Sequence, residues 1–244
     1  MSLALKLMLS PLLVAQAVHT RSRMARLPEA AGERQGVVGK GRVLKLLIVG
    51  DSSAAGVGVA SQRDALAGQL PSRLAQACGA RVEWHLLAQS GLTTAQTLQL
   101  LQRGAVPHAD IVVVVTGVND VVDQIPSHRA VGARAALANC LRNVAGVQHV
   151  VFAPLPPIHQ FPGLPQPLRW VAGADARRHN AALARWTATR CDVSHVDMDV
   201  PLNRGVMASD GFHPGEPVYR YCASAIAEHI ATTVWPTIRT ESTR

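Results

Sequence analysis

The chain has 244 residues, 48% of them hydrophobic and 16% charged, a balance that excludes a disordered chain and suits one globular domain with a sizeable core. Four cysteines without a C-x-x-C pair argue against a disulfide scaffold or a structural zinc site, and nine aromatic residues leave little material for a single-strand nucleic-acid surface. The net charge of +8 does not restore a nucleic-acid partner: eight basic residues fall in the first 45 positions against Glu29 and Glu33, which leaves the other 199 residues at +2.

In chain order, residues 1–41 read as a separate extension, apolar and helical at first, then basic. Its run 2–18 is interrupted by Lys6 and Pro11 and is shorter than the roughly 20 residues needed to span a bilayer. Three fates fit it. A secretory signal could be cleaved after Ala15-Gln16-Ala17. A retained helix could instead make peripheral contact with an anionic membrane through Arg21, Arg23 and Arg26, or pack on the domain. The retained helix is the favoured reading, giving a cytoplasmic or membrane-surface protein; cleavage and secretion are the alternative.

Residues 42–235 alternate short β-branched runs with longer helical segments. Strands are expected at 43–49, 82–87, 110–115, 147–153 and 193–198, and helices at 64–77, 93–103, 128–145, 169–190 and 214–234. This is the pattern of an α/β domain: a three-layer α/β/α sandwich around a mostly parallel sheet of about five strands, flavodoxin-like in outline. Residues 236–244 read as a tail. The segment 154–168 holds six prolines and cannot be regular helix or central strand.

In such a fold ligands bind where loops leave the carboxyl ends of the strands. Four of those loops carry unusual chemistry: Gly50-Asp51-Ser52-Ser53, Gln89-Ser90-Gly91, Gly117-Val118-Asn119-Asp120, and Asp210-Gly211-Phe212-His213-Pro214. Acyl transfer by serine needs this inventory. Ser52, at a strand-to-helix turn, is the candidate nucleophile. His213 is the base, with Asp210 three residues earlier folding back onto its Nδ1–H. The Ser52 and Gly91 N–H groups and the Asn119 amide are candidate oxyanion donors. Pro214 fits the first position of the last helix. Asp51, Ile158 and Phe161 are candidate substrate contacts, the last two from the proline-rich loop that follows the fourth strand.

Together the four blocks resemble those of the SGNH hydrolases, also called GDSL esterases and lipases, over about 43–232. The resemblance implies the same roles for Ser52, Gly91, Asn119, Asp210 and His213, and a five-stranded α/β/α sandwich. Ser53 stands where the name-giving motif has Leu. The expected activity is hydrolysis of a small-molecule or lipid-like acyl ester through an acyl-enzyme. Thioester or lysophospholipid cleavage, acyl transfer, and a non-catalytic flavodoxin-like binding module are the alternatives.

Nothing calls for a cofactor or a metal. Asp192, His195, Asp197 and Asp199 read as alternating polar residues on a strand face rather than ligands. Gly56 and Gly58 fail the dinucleotide fingerprint at Ser61, and neither a G-x-S-x-G elbow nor a G-K-[ST] phosphate loop is present. Oligomeric state is not legible.

Overall fold

Residues 43–49 send successive side chains to opposite faces of a strand, and Leu44 and Leu46 to Val49 are all buried, so both faces of this run are covered. In the computed structural model, which describes residues 3–200 and 202–238, this run lies at the heart of one six-stranded sheet. The strands are β1 (Gln35–Val38), β2 (Arg42–Gly50), β3 (Ala80–Ala88), β4 (Ile111–Val115), β5 (His149–Phe152) and β6 (Val193–His195). Their order is β1-β3-β2-β4-β5-β6, all parallel except β1, which runs antiparallel to β3.

The helices are α1 (Leu3–Arg23), α2 (Leu66–Cys78), α3 (Thr94–Arg103), the short α4 (Val118–Val122), α5 (Ser127–Ala145), α6 (Leu168–Thr187) and α7 (Glu216–His229). Leu44, Leu46 and Ile48 of β2 pack in one core with Leu70 and Leu74 of α2 and Ile226 of α7. Leu47 and Val49, one residue out of phase, pack in a second core with Leu101 of α3, Leu137 and Leu141 of α5, and Leu183 of α6. These two cores make the three layers of an α/β/α sandwich. A third apolar cluster, including Leu155, Phe161, Val200, Leu202 and Met207, closes the carboxyl end of the sheet.

The chain leaves β2 toward α2 on one face and leaves the neighbouring β4 toward α5 on the other. Between diverging connections of this kind a crevice opens, and it opens here at Ser52.

Several expected boundaries move. The sheet has six strands rather than five, because β1 lies inside the segment taken for an extension. The 41/42 boundary is therefore not a domain boundary. Ala30 is buried, Ala31 bridges Ser61, and Arg34 donates to the Ala88 carbonyl, so residues from 29 onward belong to the domain body. At the other end Ile238 is buried and its carbonyl accepts from Arg42, so the body runs past 235. The rest of the expected tail, 239–244, lies outside the described residues. The last helix starts at Glu216 with Pro217 in its first turn, while Pro214 bridges Met207 before the helix begins. No described helix is long and apolar enough to cross a membrane.

Candidate active site

Asp210, held in a tight turn by Gly211 at φ 62°, accepts from the backbone N–H groups of Phe212 and His213 at 2.9 and 3.0 Å through Oδ1. Its other oxygen, Oδ2, lies 2.6 Å from His213 Nδ1. That contact places the imidazole hydrogen on Nδ1 and leaves Nε2 as an acceptor, 3.1 Å from Ser52 Oγ. Burial alone would raise the Asp210 carboxyl, but the His213 ring and the two N–H donors outweigh it and hold the group below its ordinary value. Asp210 therefore remains a carboxylate facing the ring.

Ser52 follows β2 in a run of turns over residues 51–60, not at a helix N-terminus; α2 begins only at Leu66. The turn is held from both sides. Val57 N–H donates to the Ser52 carbonyl at 3.0 Å, and the buried Tyr219 hydroxyl of α7 donates to the Val57 carbonyl at 2.6 Å. Tyr219 thus ties the serine turn to the helix that follows His213.

The donors gather on the adjoining loops. The Ser52 and Gly91 N–H groups have no protein acceptor among the described residues. Gly91 is exposed, with φ 84°. Asn119 Nδ2 donates one hydrogen to the Leu92 carbonyl at 3.0 Å, which leaves its second hydrogen to be aimed elsewhere. Gly117 has φ 125°, and a Cβ there would fall 2.9 Å from Leu155 Cδ1 and inside the Arg134 guanidinium; only glycine fits. Beneath it, buried Asp120 accepts from Thr94 N at 2.9 Å and Thr94 Oγ1 at 2.6 Å, with Arg134 NH2 4.0 Å away.

Two residues that sequence reasoning passed over support this edge. Glu29 accepts from Ser90 N and Oγ at 2.7 and 2.8 Å, pinning the loop that carries Gly91. Although burial pushes its carboxyl up, the Ser90 donors and Arg34 bring it below its ordinary value. Arg134 is the second, buried at the bottom of the Asn119 loop. Neither stands in a recognisable motif, so only the fold brings them to the site.

A cleft of about 90 Å³ opens beside Ser52 and His213, walled by Leu155, Phe161, Met198, Val200, Met207 and Ile226 among others. Phe161 lines it and packs edge-on against Phe212, with centroids 5.2 Å apart. Ile158 does not: it is buried in the apolar cluster behind the wall. Asp51 is not a wall residue either. It is 2% exposed and accepts from Ser53 N–H at 3.0 Å beneath the serine turn. Burial pushes its carboxyl up to about 7, with nearby Asp120 acting in the same direction and the Ser53 N–H and His213 opposing.

Asp192, just before the start of β6, and His195, at its end, find other partners. Asp192 pairs with Arg142 and Arg190, and His195 Nδ1 lies 2.8 Å from Thr187 Oγ1. Among the described residues no group of three or more His, Cys, Asp or Glu side chains is arranged to hold a metal.

Comparison with known proteins adds a second line of argument. The GDSL-like Lipase/Acylhydrolase family matches residues 48–221. The chain is 28% identical over 239 residues to the GDSL-like esterase Rv1075c of Mycobacterium tuberculosis, covering 88% of this chain and 74% of that protein. Among solved structures it is similar to the lipase Lip_vut3 from a goat rumen metagenome, with TM-score 0.60 and 17% identity over 78% of this chain and 98% of that one. It is also similar to phospholipase A1 from Streptomyces albidoflavus, with TM-score 0.53 and 15% identity over 78% of this chain and 99% of that one.

Proposed function

The chain belongs to the GDSL-like lipase/acylhydrolase family, whose chemistry is the hydrolysis of acyl esters, and from that premise we propose that Ser52, His213 and Asp210 perform it through an acyl-enzyme intermediate. Ser52 Oγ attacks the ester carbonyl as His213 Nε2 takes its proton. Asp210 keeps the imidazole in the required tautomer and balances the imidazolium that forms. The carbonyl oxygen gains charge and is met by the Ser52 and Gly91 N–H groups and the free hydrogen of Asn119 Nδ2. His213 passes its proton to the departing alcohol. Water then repeats the sequence on the acyl-serine and restores the hydroxyl.

The observation that carries this reading is the unbroken line from Ser52 Oγ through the His213 ring to Asp210, at 3.1 and 2.6 Å. The apolar cleft beside it suits the acyl portion of the substrate, since it offers hydrocarbon and no charge to a chain leaving water.

A fluorophosphonate probe tests the assignment. It should label the wild-type protein and fail to label Ser52→Ala, whose melting temperature should be unchanged. A folded wild type that resists the probe, or a Ser52→Ala variant that is still labelled, overturns it. Chromogenic esters of increasing acyl length then measure how far the cleft reaches.

A further inference from the structure

Helix α1 turns one face to the domain and the other to solvent. Leu9, Leu13, Gln16 and Thr20 recur at helical spacing on the face turned to the body; Leu13 is buried and the other three are partly covered. Gln16 fastens this face to the start of α6, donating to the Gln166 carbonyl at 2.7 Å and accepting from Leu168 N–H at 3.1 Å.

The opposite face is apolar. Leu7, Val14 and Val18 are 63%, 62% and 64% exposed, and with Pro11 they form one stripe at spacings of four, three and four; Met8 flanks it, also exposed. A stripe of this size facing water marks a contact surface. It runs toward Arg21, Arg23 and Arg26, all exposed.

We propose that this outer face of α1 docks on an anionic lipid bilayer, with the stripe entering the acyl boundary and the three arginines among the headgroups. Charge decides the occupant. Residues 1–28 contain no Asp or Glu, so a second copy of α1 seated on the stripe brings no acid to the arginines. Anionic headgroups supply that countercharge.

The docked helix is also connected to the site. The segment to which α1 is fastened continues back to Phe161, which lines the cleft, and Gly163 N–H donates to the Gly211 carbonyl beside His213 at 2.9 Å. Helix, loop and histidine turn are thus linked through hydrogen bonds at Gln16 and Gly163.

Sedimentation of the full chain with phosphatidylcholine vesicles, with and without phosphatidylglycerol, tests the surface. The protein should co-sediment with the phosphatidylglycerol vesicles and weakly or not at all with phosphatidylcholine alone. Replacing all three arginines by Gln should lower that affinity on the order of 100-fold, since each basic group near such a surface contributes about fivefold. Val14→Glu with Val18→Glu should lower it more than tenfold, while both variants keep the wild-type melting temperature and turnover of a soluble short-chain ester. No binding to phosphatidylglycerol vesicles, or binding indifferent to both variants, overturns the proposal. A dimer in analytical ultracentrifugation that Val14→Glu with Val18→Glu dissociates also overturns it, in favour of a second copy. Because vesicle binding is read without catalysis, loss of the Ser52 assignment leaves this result standing, and the reverse holds too.

Discussion

On one side of Ser52 the protein buries Thr94, Thr116, Asp120 and Arg134; on the other it buries Phe161, Val200, Leu202, Met207 and Val218. The first wall is held by directed contacts: Thr94 N and Oγ1 on Asp120, Thr94 Oγ1 on Thr116 Oγ1 at 3.0 Å, and Arg134 below. Such contacts lose their value when an atom moves by an ångström. The second wall is held by burial, which has no direction and tolerates exchange of one hydrocarbon shape for another. The polar wall therefore sets where the Gly91 and Asn119 donors point, and the apolar wall sets what fits beside them.

Substitutions on the two walls should differ in kind. Asp210→Asn should have the largest effect, lowering kcat on the order of 10⁴ with the melting temperature nearly unchanged, because the amide no longer dictates the imidazole tautomer. A fall of less than about tenfold would remove the carboxylate from the chemistry. Arg134→Ala strands Asp120 without its cation and should cost about 3–5 kcal/mol in denaturant unfolding; a loss below about 1 kcal/mol would mean the polar wall is not stiff. Asn119→Ala should lower kcat on the order of 10²–10³ with little change in KM, and an unchanged kcat rejects the amide as an oxyanion donor.

Asp51 gives a test in pH. Its folded-state carboxyl is raised from 3.8 to about 7, so the fold favours the protonated form. Ionising it costs stability that grows as pH rises from 3.8 toward 7 and is complete above that. Asp51→Asn removes the penalty and should melt several degrees higher than wild type at pH 8. The gap should close as pH falls through the same window; a gap independent of pH counts against the buried carboxyl. The smallest effect is expected on the apolar wall. Met198→Leu should cost less than about 1.5 kcal/mol and change kcat/KM across an acyl-length series by no more than about tenfold.

The sheet's parallel strands and the helices on its faces were legible because hydrophobic period and length agree along those segments. Strand β1 was not. Its four residues, QGVV, alternate between exposed and half-buried, carry a glycine under the Trp84 indole, and become a strand only because β3 presents an edge to them. Helix α4 was hidden in a motif whose glycine and asparagine read as a turn.

Ser52, Asn119, Asp210 and His213 were candidates from their places after strands, and the fold puts Ser52 within hydrogen-bond reach of His213, and His213 of Asp210. Asp51 and Ile158, expected at the substrate, are buried away from the cleft, because position in a loop says nothing of which way a side chain turns. Met198 was expected at the end of a strand over 193–198, which stops at His195, and Val200, Leu202 and Met207 escaped notice because apolar residues in an aperiodic loop look like filler until Phe161 and α7 meet them.

The sheet ends in short strands on both sides, four residues in β1 and three in β6. Long unpaired borders recruit other chains, and short ones do not. A protein trimmed to begin at residue 42 would lay bare the outer border of nine-residue β3, a template on which like molecules could polymerise. The segment QGVV thus covers part of that border as well as completing the architecture.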